Sequence, residues 1–420
     1  MQKMPSSTPA DAAGDEPHSL NGRPDTGVLA ELSAQIRGAI AGNGGWLPFD
    51  QFMGLALYAP GLGYYSNSSR KFGLMPYKKA TGRPELSGAP SGGRDGQSPE
   101  QGGLFSGSDF VTAPELSPLF GQALAQQVAQ ALQATGTQEV FEFGAGSGAL
   151  AEQVISSLDA AGQPLVRYTI IDLSGELRER QALRLARFGE RVQWAHTWPA
   201  AMRGVVLGNE VLDAMPVNLL HFDGQQWLER GVVWDERTQA FAHADRPTDL
   251  RPSLEDLSGF VPGTTTEIHP QAEAFIRSLA EHLQHGVALF LDYGFPEAEY
   301  YHPQRIGGTL MCHQAHVADA DPLVSVGLKD ITAHVNFTGI ALAAQDAGMQ
   351  ILGYTSQARF LMNCGLMPLL GAASVQERAM AQKLITEHEM GELFKVIALA
   401  SADVTLDPVG FAAGDRTHRL

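Results

Sequence analysis

Residues 139–151 read Glu-Val-Phe-Glu-Phe-Gly-Ala-Gly-Ser-Gly-Ala-Leu-Ala. The apolar run that contains Val140, Phe141 and Phe143 predicts a short buried strand. Glycines follow at every second position, and glycine permits a positive φ and lets a ligand approach the backbone closely. Ser147 is expected to cap the following helix, whose first turn leaves N–H groups open above the strand. The stretch therefore predicts a strand–turn–helix unit that binds a ligand.

Three classes of ligand use such a turn. A dinucleotide requires G-x-G-x-x-G/A, which Gly144, Gly146 and Ala149 satisfy. A phosphate-binding P-loop requires a final Gly-Lys-Ser/Thr, which this stretch lacks. S-adenosylmethionine-dependent methyltransferases favour an acidic residue before G-x-G-x-G, and Glu142 stands there. A glycine-rich turn without a ligand is the remaining alternative.

Composition narrows the functional classes. A net charge of −17 disfavours non-specific nucleic-acid binding, because phosphate repels an acidic surface. Apolar runs are all shorter than the roughly 20 residues that span a membrane. The two cysteines, Cys312 and Cys364, in 420 residues without an apolar signal core predict a reducing compartment and a cytoplasmic location. Neither the oligomeric state nor the acceptor follows from these properties.

Shifts in composition predict the domain organisation. A polar stretch rich in Pro, Ser and Asp predicts a disordered leader at residues 1–27. Glycine-rich sequence without hydrophobic period predicts a second disordered segment, at 73–107. The predicted units are an N-terminal cap at 28–135 that contains this segment, a main domain at 136–400 with insertions at about 217–262 and 300–337, and a frayed tail at 401–420.

A second predicted strand, at residues 167–172, ends in the acid Asp172. In a doubly wound sheet the carboxyl end of the second strand lies beside the first strand–helix turn. A carboxylate there can accept hydrogen bonds from both hydroxyl groups of a ribose. The alternative is a helix N-cap, and the ribose role is the one predicted.

Acidic residues also follow two later strands. The strand at 205–207 leads into Asn209, Glu210 and Asp213, and the strand at 287–291 leads into Asp292. Open α/β sheets place their chemistry at the carboxyl ends of strands. Glu210 and Asp213 fall on one side of the chain if this segment is a helical turn. We predict that these two acids are catalytic, with Asp292 as a third candidate, and the alternative is a set of surface acids.

The sequence leaves open the role of two further clusters of residues. The turn at 58–66 is rich in aromatic residues and predicts either packing of the cap or a ligand lid. His313, His316, Asp319 and Asp321 are residue types that bind divalent metals. Their spacing is a weak pattern that polar loops also show. No metal site is predicted.

Several segments together resemble the MidA-like family of class I methyltransferases. The similarity covers roughly residues 29–400 and includes the sequences at 63–66, 109–115, 141–148, 208–216, 291–294 and 329–337. The Thr-Ala-Pro-Glu and Asn-Glu-Val-Leu-Asp-Ala-Met-Pro segments are far more specific than the glycine turn. The chain departs from the family at 73–107, which looks like an insertion, and at Asp172, where many members carry Glu.

The resemblance implies an α/β fold. The expected class I methyltransferase architecture is a Rossmann-like, seven-stranded sheet, mostly parallel with an antiparallel last strand. An N-terminal helical cap and an inserted substrate-side subdomain are expected to cover its carboxyl edge. The implied cofactor is S-adenosyl-L-methionine. The predicted cofactor-binding residues are Thr112, Pro114, Glu115, Glu142, Gly144, Ala145, Gly146, Gly148, Asp172, Leu173 and Asn209.

The resemblance also suggests an acceptor. The family includes a mitochondrial protein arginine methyltransferase that assists the assembly of respiratory complex I. It therefore implies a protein arginine as acceptor, with a respiratory-complex subunit as a candidate partner. Guanidinium stays charged in proteins, and a pair of carboxylates can orient it. The alternatives are a methyltransferase for a small molecule or another residue, a nicotinamide dehydrogenase, and a non-enzymatic assembly factor that binds the same donor.

Overall fold

The computed structural model describes residues 26–66, 112–172, 175–254, 256–314 and 317–420. The segment predicted to be disordered at 73–107 lies outside the described residues, as do nearly all of the leader, Leu173 and His316. Across the described ranges, no helix has both the length and the apolar character required to cross a membrane.

Helices and strands alternate through most of the described chain. The strands are β1 Leu47–Pro48, β2 Glu139–Phe143, β3 Arg167–Ile171, β4 Val192–Ala195, β5 Met202–Asn209, β6 Asn218–Phe222, β7 Trp227–Asp235, β8 Ala240–Pro247, β9 Thr265–Ile268, β10 Leu283–Phe295, β11 Met311–Gln314, β12 Val317–Asp319, β13 Asp330–Thr332, β14 Val335–Asn336, β15 Gln350–Ser356 and β16 Phe394–Ala400. The helices are α1 Thr26–Gly42, α2 Phe49–Tyr58, α3 Ala113–Leu116, α4 Pro118–Thr135, α5 Ala149–Ala160, α6 Gly175–Leu185, α7 Pro270–His282, α8 Glu297–Tyr300, α9 Phe337–Asp346, α10 Gln357–Asn363, α11 Leu366–Ala372 and α12 Val375–Ile385.

The largest sheet has the strand order β15-β16-β10-β5-β2-β3-β4. Strands β10, β5, β2, β3 and β4 run parallel to one another, and β16 is antiparallel to both of its neighbours. The predicted fold class, a class I methyltransferase sheet with an antiparallel last strand, is confirmed. The count of seven strands is not, because the two-residue β14 adds an eighth strand beside β10.

The central strands are covered on both faces. Along β5, Val205 and Leu207 pack into the same apolar cluster as α4 and α5, whereas Val206 packs with α7 and α9 on the other face. Parallel strands buried on both sides read as continuous apolar runs. This burial explains why the sequence around β2, β5 and β10 predicts strands so clearly.

The N-terminal helices pack on a second, antiparallel sheet with the order β1-β7-β6-β9, to which β8 adds beside β7. Leu32 and Ile36 of α1 share an apolar cluster with Phe52 of α2 and Val232 of β7. Residues 235–262 showed no period in the sequence, yet they contain β8. Because β8 is an edge strand with mostly exposed side chains, it has no apolar face for the sequence to reveal.

The C-terminal residues pack against the edge of the large sheet, although the sequence predicted a frayed tail. The backbone N–H of Arg416 donates to the Tyr354 carbonyl at 2.6 Å, and the Tyr354 N–H donates to Asp415 Oδ1 at 3.0 Å. Arg416 also pairs with Glu392. These contacts join residues that are distant in the sequence, so the sequence of the tail alone does not predict them.

Candidate active site

A cavity of about 630 Å³ lies over the carboxyl ends of β2, β3 and β5. This volume falls in the range of about 300–1,000 Å³ that is typical of small-molecule pockets. The loops after those strands form its floor, α2 forms one wall, and β13 contributes Asp330 and Thr332. The cap, the large sheet and the three-stranded sheet β12-β11-β13 therefore meet at one site.

The glycine turn after β2 has the backbone that the sequence predicted. Gly144, Gly146 and Gly148 have φ angles of 62°, 53° and 81°. A Cβ placed on Gly146 would have no heavy atom within 4 Å, so this backbone opens onto the cavity. Gly148 instead faces Gln181 and Leu185 and does not line the cavity. Its function is to begin α5 with a left-handed residue.

Ser147 does not cap α5, contrary to the sequence prediction. The N-cap position belongs to Gly148, and no side chain caps it. The Ser147 hydroxyl instead donates to Glu115 and accepts a hydrogen bond from Arg184. Ser147 thereby ties the glycine turn to α3 and α6.

Asp172 lines the cavity at the end of β3, beside the glycine turn. Gln181 of α6 holds the two together: its Nε2 donates to Asp172 Oδ2 at 3.1 Å and to the Gly146 carbonyl at 2.9 Å. Trp194 Nε1 donates to Gln181 Oε1 at 2.9 Å and fixes the amide orientation. Sequence reasoning missed Gln181, because α6 is rich in arginine and resembles a solvated helix.

Glu142 is 2% exposed at the cavity floor, at the end of β2. The Tyr168 hydroxyl donates to Glu142 Oε2 at 2.7 Å. Burial, together with repulsion from Asp172, raises the pKa of Glu142 to about 8, although the Tyr168 hydrogen bond acts in the opposite direction. Glu142 therefore carries a proton near neutral pH until a cationic group approaches it.

The segment before α4 brings Thr112, Pro114 and Glu115, three of the residues predicted to bind the cofactor, to the cavity. Gln153 Nε2 donates to the Pro114 carbonyl at 2.7 Å. Glu115 forms an ion pair with Arg184 at 2.7 Å. These contacts hold the segment against the glycine turn.

The loop after β5 is not a helical turn, the conformation in which Glu210 and Asp213 would fall on one side of the chain. Glu210 has a φ of 53°, and this left-handed conformation is costly for a residue with a side chain. The N–H groups of Val211, Leu212 and Asp213 donate to Asp292 Oδ2 at 3.1, 2.9 and 3.3 Å. Three successive N–H groups that converge on one carboxylate form an anion-binding nest. The nest, rather than a helix, brings Glu210 and Asp213 to the cavity.

Asp292 lies beneath the cavity and does not line it. It is 1% exposed, and its second oxygen accepts the Tyr293 N–H at 3.0 Å. Burial and the neighbouring carboxylates of Asp213 and Glu210 hold its pKa well above the ordinary value. The structure thus separates Asp292 from the two acids with which it was grouped as catalytic: it holds the loop that carries them.

Asp213 has one oxygen held and one without a partner. The Tyr293 hydroxyl donates to its Oδ2 at 2.5 Å, whereas its buried Oδ1 has no hydrogen-bond partner among the described residues. Burial raises the pKa of Asp213 to about 6, against the effect of the Tyr293 hydrogen bond. The unpaired oxygen belongs to a side chain that lines the cavity, so a bound ligand can donate to it.

Asn209, like Asp213, has one polar atom that is hydrogen-bonded and one that is not. Asn209 Nδ2 donates to Glu210 Oε1 at 3.0 Å, and the buried Oδ1 of Asn209 has no partner among the described residues. Burial and repulsion from Asp213 raise the pKa of Glu210 to about 8. Two unpaired acceptors, one on Asn209 and one on Asp213, therefore flank Glu210.

The aromatic turn of the cap both packs and lines the cavity. The rings of Tyr58 and Tyr65 stack with centroids 5.6 Å apart. The Tyr58 hydroxyl donates to the Ala214 carbonyl at 2.8 Å, and the Tyr65 hydroxyl lies 2.9 Å from both carboxylate oxygens of Asp330. Sequence reasoning did not select Asp330 or Tyr293 for the site, although both lie in segments that carry the family resemblance.

The cavity has two chemically different halves. The glycine half contains the glycine turn and Asp172. Beside them, the aromatic rings of Phe143, Trp198 and Phe275 pack with centroids 4.7–5.1 Å apart. The acid half consists of Asp50, Tyr58, Tyr65, Glu210, Asp213 and Asp330.

The charge of the whole cavity has one sign. The carboxylates that line it are Asp50, Glu115, Glu142, Asp172, Glu210, Asp213 and Asp330. Among the described lining residues there is no lysine or arginine side chain. Such a cavity attracts cationic ligands.

The described part of the chain contains no group of three or more metal-binding side chains. Asp319 pairs with Lys329 Nζ at 2.7 Å. His313 lines the cavity, whereas Asp319 and Asp321 do not.

The glycine half fits S-adenosyl-L-methionine. Asp172 can accept the ribose hydroxyls, the open backbone at Gly146 can receive the methionine portion, and the unpaired Asn209 Oδ1 can accept a hydrogen bond from its amino group. The aromatic rings beside them provide an apolar wall of the kind that buries a nucleoside base.

Comparison with known proteins agrees with this geometry. Residues 123–355 match a family model described as "Putative S-adenosyl-L-methionine-dependent methyltransferase". A crystal structure from Burkholderia thailandensis bound to S-adenosyl-homocysteine is 45% identical, with 95% of this chain and 99% of that chain covered and a TM-score of 0.82. A native crystal structure from the same organism is 44% identical, with the same coverage and a TM-score of 0.80.

More distant relatives carry a more specific name. The mitochondrial protein arginine methyltransferase NDUFAF7 homolog of Caenorhabditis elegans is 25% identical over an aligned length of 381 residues, and the alignment covers 78% of this chain and 85% of that protein. The human mitochondrial protein arginine methyltransferase NDUFAF7 is 26% identical over an aligned length of 336 residues, and the alignment covers 69% of this chain and 73% of that protein.

Proposed function

We propose that this chain, which belongs to the family of S-adenosyl-L-methionine-dependent methyltransferases, methylates an arginine side chain of a protein. The family match over residues 123–355 and the related structure that holds S-adenosyl-homocysteine establish the methyltransferase activity and its cofactor. The protein arginine is the proposed part. The observation that carries it is the acid half of the cavity, where Asp50, Glu210, Asp213 and Asp330 lie and where no lysine or arginine is among the described lining residues.

The glycine half is the proposed donor site. When bound there, S-adenosyl-L-methionine supplies an electrophilic methyl group. Asp172 holds the ribose, and Gln181 fixes Asp172 relative to the Gly146 backbone. Glu142 and Asn209 provide acceptors for the amino group of the donor.

The acid half is the proposed acceptor site. A guanidinium group remains charged in proteins and presents N–H donors in a planar fork that matches carboxylates. Glu210 and Asp213 lie in the loop that follows β5, and Asp213 Oδ1 has no donor in the part of the chain that the structure describes. A bound guanidinium satisfies that oxygen and favours ionised carboxylates, because a nearby positive charge lowers their pKa values.

The acids then have two tasks during methyl transfer. They orient one guanidinium nitrogen towards the donor, which is the main contribution that a displacement reaction requires. As this nitrogen gains the methyl group, it loses a proton. Asp213, whose pKa of about 6 leaves it mostly ionised at neutral pH, is placed to receive that proton.

The tyrosines add shape selectivity. Guanidinium stacks on aromatic faces, and the stacked pair of Tyr58 and Tyr65 forms a flat wall of the acid half. The names of the more distant relatives, protein arginine methyltransferases, support the same acceptor. A respiratory-complex subunit as the modified protein and a cytoplasmic location remain predictions of the sequence.

Transfer of labelled methyl groups tests this function. The purified protein is incubated with a lysate from matching cells and tritiated donor, and the labelled component is mapped by mass spectrometry. The expected product is methylarginine in a protein, and it is absent with Asp213→Asn. Label in a small molecule or on another residue type contradicts the proposed acceptor, and donor binding without transfer to any component favours a non-enzymatic assembly factor.

A further inference from the structure

Helix α2 turns one face to the core and another to the cavity. The buried face consists of Phe49, Phe52, Met53, Ala56 and Leu57. Asp50, Gly54 and Tyr58 line the cavity at positions i, i+4 and i+8, which share one side of a helix. The cavity face therefore runs along nearly the whole helix. It begins at Tyr58, which contacts Ala214 in the loop after β5, and leads through Gly54 to Asp50.

Gly54 is unexplained by folding alone. Glycine in a helix interior lowers stability relative to alanine. Its φ is not positive, and among the described residues the single heavy atom within 4 Å of a Cβ there is Pro216 Cγ, at the ordinary contact distance of 3.8 Å. Neither the backbone nor the packing requires glycine at this position. What glycine does provide is space along the cavity wall, between Tyr58 and Asp50.

Asp50 has a buried oxygen, Oδ1, with no hydrogen-bond partner among the described residues. A carboxylate in the first turn of a helix is favoured by the helix dipole. That interaction does not require an oxygen to be removed from water without a donor, which is costly. Asp213, 5% exposed and in the same cavity, likewise has an oxygen without a partner among these residues. Asn209 Oδ1 is assigned to the donor, and the other two unpaired acceptors, on Asp50 and Asp213, indicate an acceptor molecule with two separate sets of hydrogen-bond donors.

We propose that the cavity face of α2 is a subsite for a second positively charged side chain of the acceptor protein, bound by Asp50. This inference rests on the proposed arginine methylation. The target arginine occupies the acid half beside Glu210 and Asp213, the peptide chain passes Gly54, and a lysine or arginine donates to Asp50 Oδ1.

The length of the helix defines the spacing of the two charges. Asp50 and Tyr58 are about 12 Å apart along the axis, at about 1.5 Å per residue. An extended peptide covers about 3.3–3.6 Å per residue. The second basic residue therefore stands about three or four positions from the target arginine. The preferred substrate class is a dibasic segment in an extended conformation.

Synthetic peptides test the subsite. One peptide carries a single arginine in a Gly/Ser sequence, and two others add a lysine three residues before or after it. We expect the better dibasic peptide to have a KM about tenfold lower, near the low end for a hydrogen bond between charged groups. Asp50→Asn removes this preference, so that all three peptides have the same KM. Glu31→Gln on the neighbouring α1, an exposed acid outside the cavity, makes the same change in net charge and retains the preference.

Two variants of Gly54 provide an independent measurement. Gly54→Ala should raise the melting temperature of the protein without donor, because its Cβ has room. Gly54→Leu should fill the passage and abolish the dibasic advantage while donor binding, measured by calorimetry, is retained. A lower melting temperature for Gly54→Ala would make Gly54 a structural requirement and overturn this part of the argument.

The outcomes distinguish the two proposals. Equal KM values for all three peptides with the wild-type protein, or a preference that survives in Asp50→Asn, overturn the subsite and leave arginine methylation intact. Methylation of a different residue or of a small molecule in the lysate experiment overturns both. A preference that depends on Asp50 and not on Glu31 supports the subsite.

Discussion

The two halves of the cavity are built in different ways. The glycine half comes mostly from one strand–turn–helix unit and the end of the next strand, so its main residues lie within about one β-α-β repeat of the sequence. The acid half joins α2, the loop after β5 and β13, which are far apart in the chain. The first half depends on local backbone geometry, the second on contacts between distant elements. Substitutions should therefore affect donor binding and acceptor chemistry separately.

The largest difference between the effect on methyl transfer and the effect on donor binding is expected for Glu210→Gln. Removal of an acid that orients the acceptor should reduce methyl transfer by at least ~10²-fold, the low end for the loss of an acid–base group. Donor affinity should remain nearly unchanged, because Glu210 lies in the acid half. Initial rates with labelled donor, compared with donor affinity from calorimetry, measure both quantities. Unchanged transfer would remove Glu210 from the mechanism.

A smaller effect is expected for Tyr293→Phe. The phenyl ring retains the contacts of Tyr293 with His334 and Phe394, whereas the hydrogen bond to Asp213 is lost. A hydrogen bond to a charged group contributes about 1.5–3 kcal/mol, so we expect about a tenfold decrease in kcat.

The same variant has a signature in its pH profile. The Tyr293 hydrogen bond lowers the pKa of Asp213, so its loss raises that pKa and moves the acidic limb of the rate profile to higher pH. A decrease in rate with an unchanged profile would indicate that Tyr293 has only a structural function.

Glu142 should make the stability of the donor-free protein depend on pH. Its folded-state pKa of about 8 exceeds the ordinary value of 4.5, so the native state binds the proton more tightly than the unfolded state. The associated stability is present below pH 4.5 and is lost as the pH rises towards 8. Glu142→Gln should reduce this slope by about 1 kcal/mol per pH unit. Denaturant titrations of both proteins at several pH values measure the difference, and equal slopes would contradict the raised pKa.

The smallest effect should come from a site outside both halves. Ser374 caps α12 in a capping box with Glu377. Ser374→Ala should lower the free energy of unfolding by about 1 kcal/mol, the usual loss for an N-cap. Donor affinity and methyl transfer should remain at wild-type levels, as thermal unfolding and rate assays can show. If methyl transfer changed in Ser374→Ala, a general loss of stability would alter activity, and the effects of the other variants could not be assigned to one half of the cavity.

Much of the glycine half could be predicted from the sequence. Glycines at alternate positions and an acid at the end of the second strand are local signals, and the structure places Gly146 and Asp172 at one cavity. The exceptions depend on tertiary contacts. Ser147 contacts Glu115 and Arg184 instead of capping α5, and Gln181 of an arginine-rich helix holds the acid in place.

The acid half was predicted only in part. Glu210 and Asp213 were recognised as acids at a strand end, but the nest that holds their loop depends on Asp292 of β10, far along the chain. The sequence around Asp292 does not show that this acid accepts three backbone N–H groups and lies beneath a cavity. The pairing of Tyr65 with Asp330 likewise appears only when the cap and β13 come together.

The most direct test of the two-half account is calorimetric titration of S-adenosyl-homocysteine into the wild-type protein, Asp172→Ala and Glu210→Gln. S-adenosyl-homocysteine should bind to the wild type and to Glu210→Gln with similar affinity. Asp172→Ala should bind at least about tenfold more weakly, because hydrogen bonds to a charged group are lost. Equal binding by Asp172→Ala, or loss of binding in Glu210→Gln, would contradict the division of the cavity into a donor half and an acceptor half.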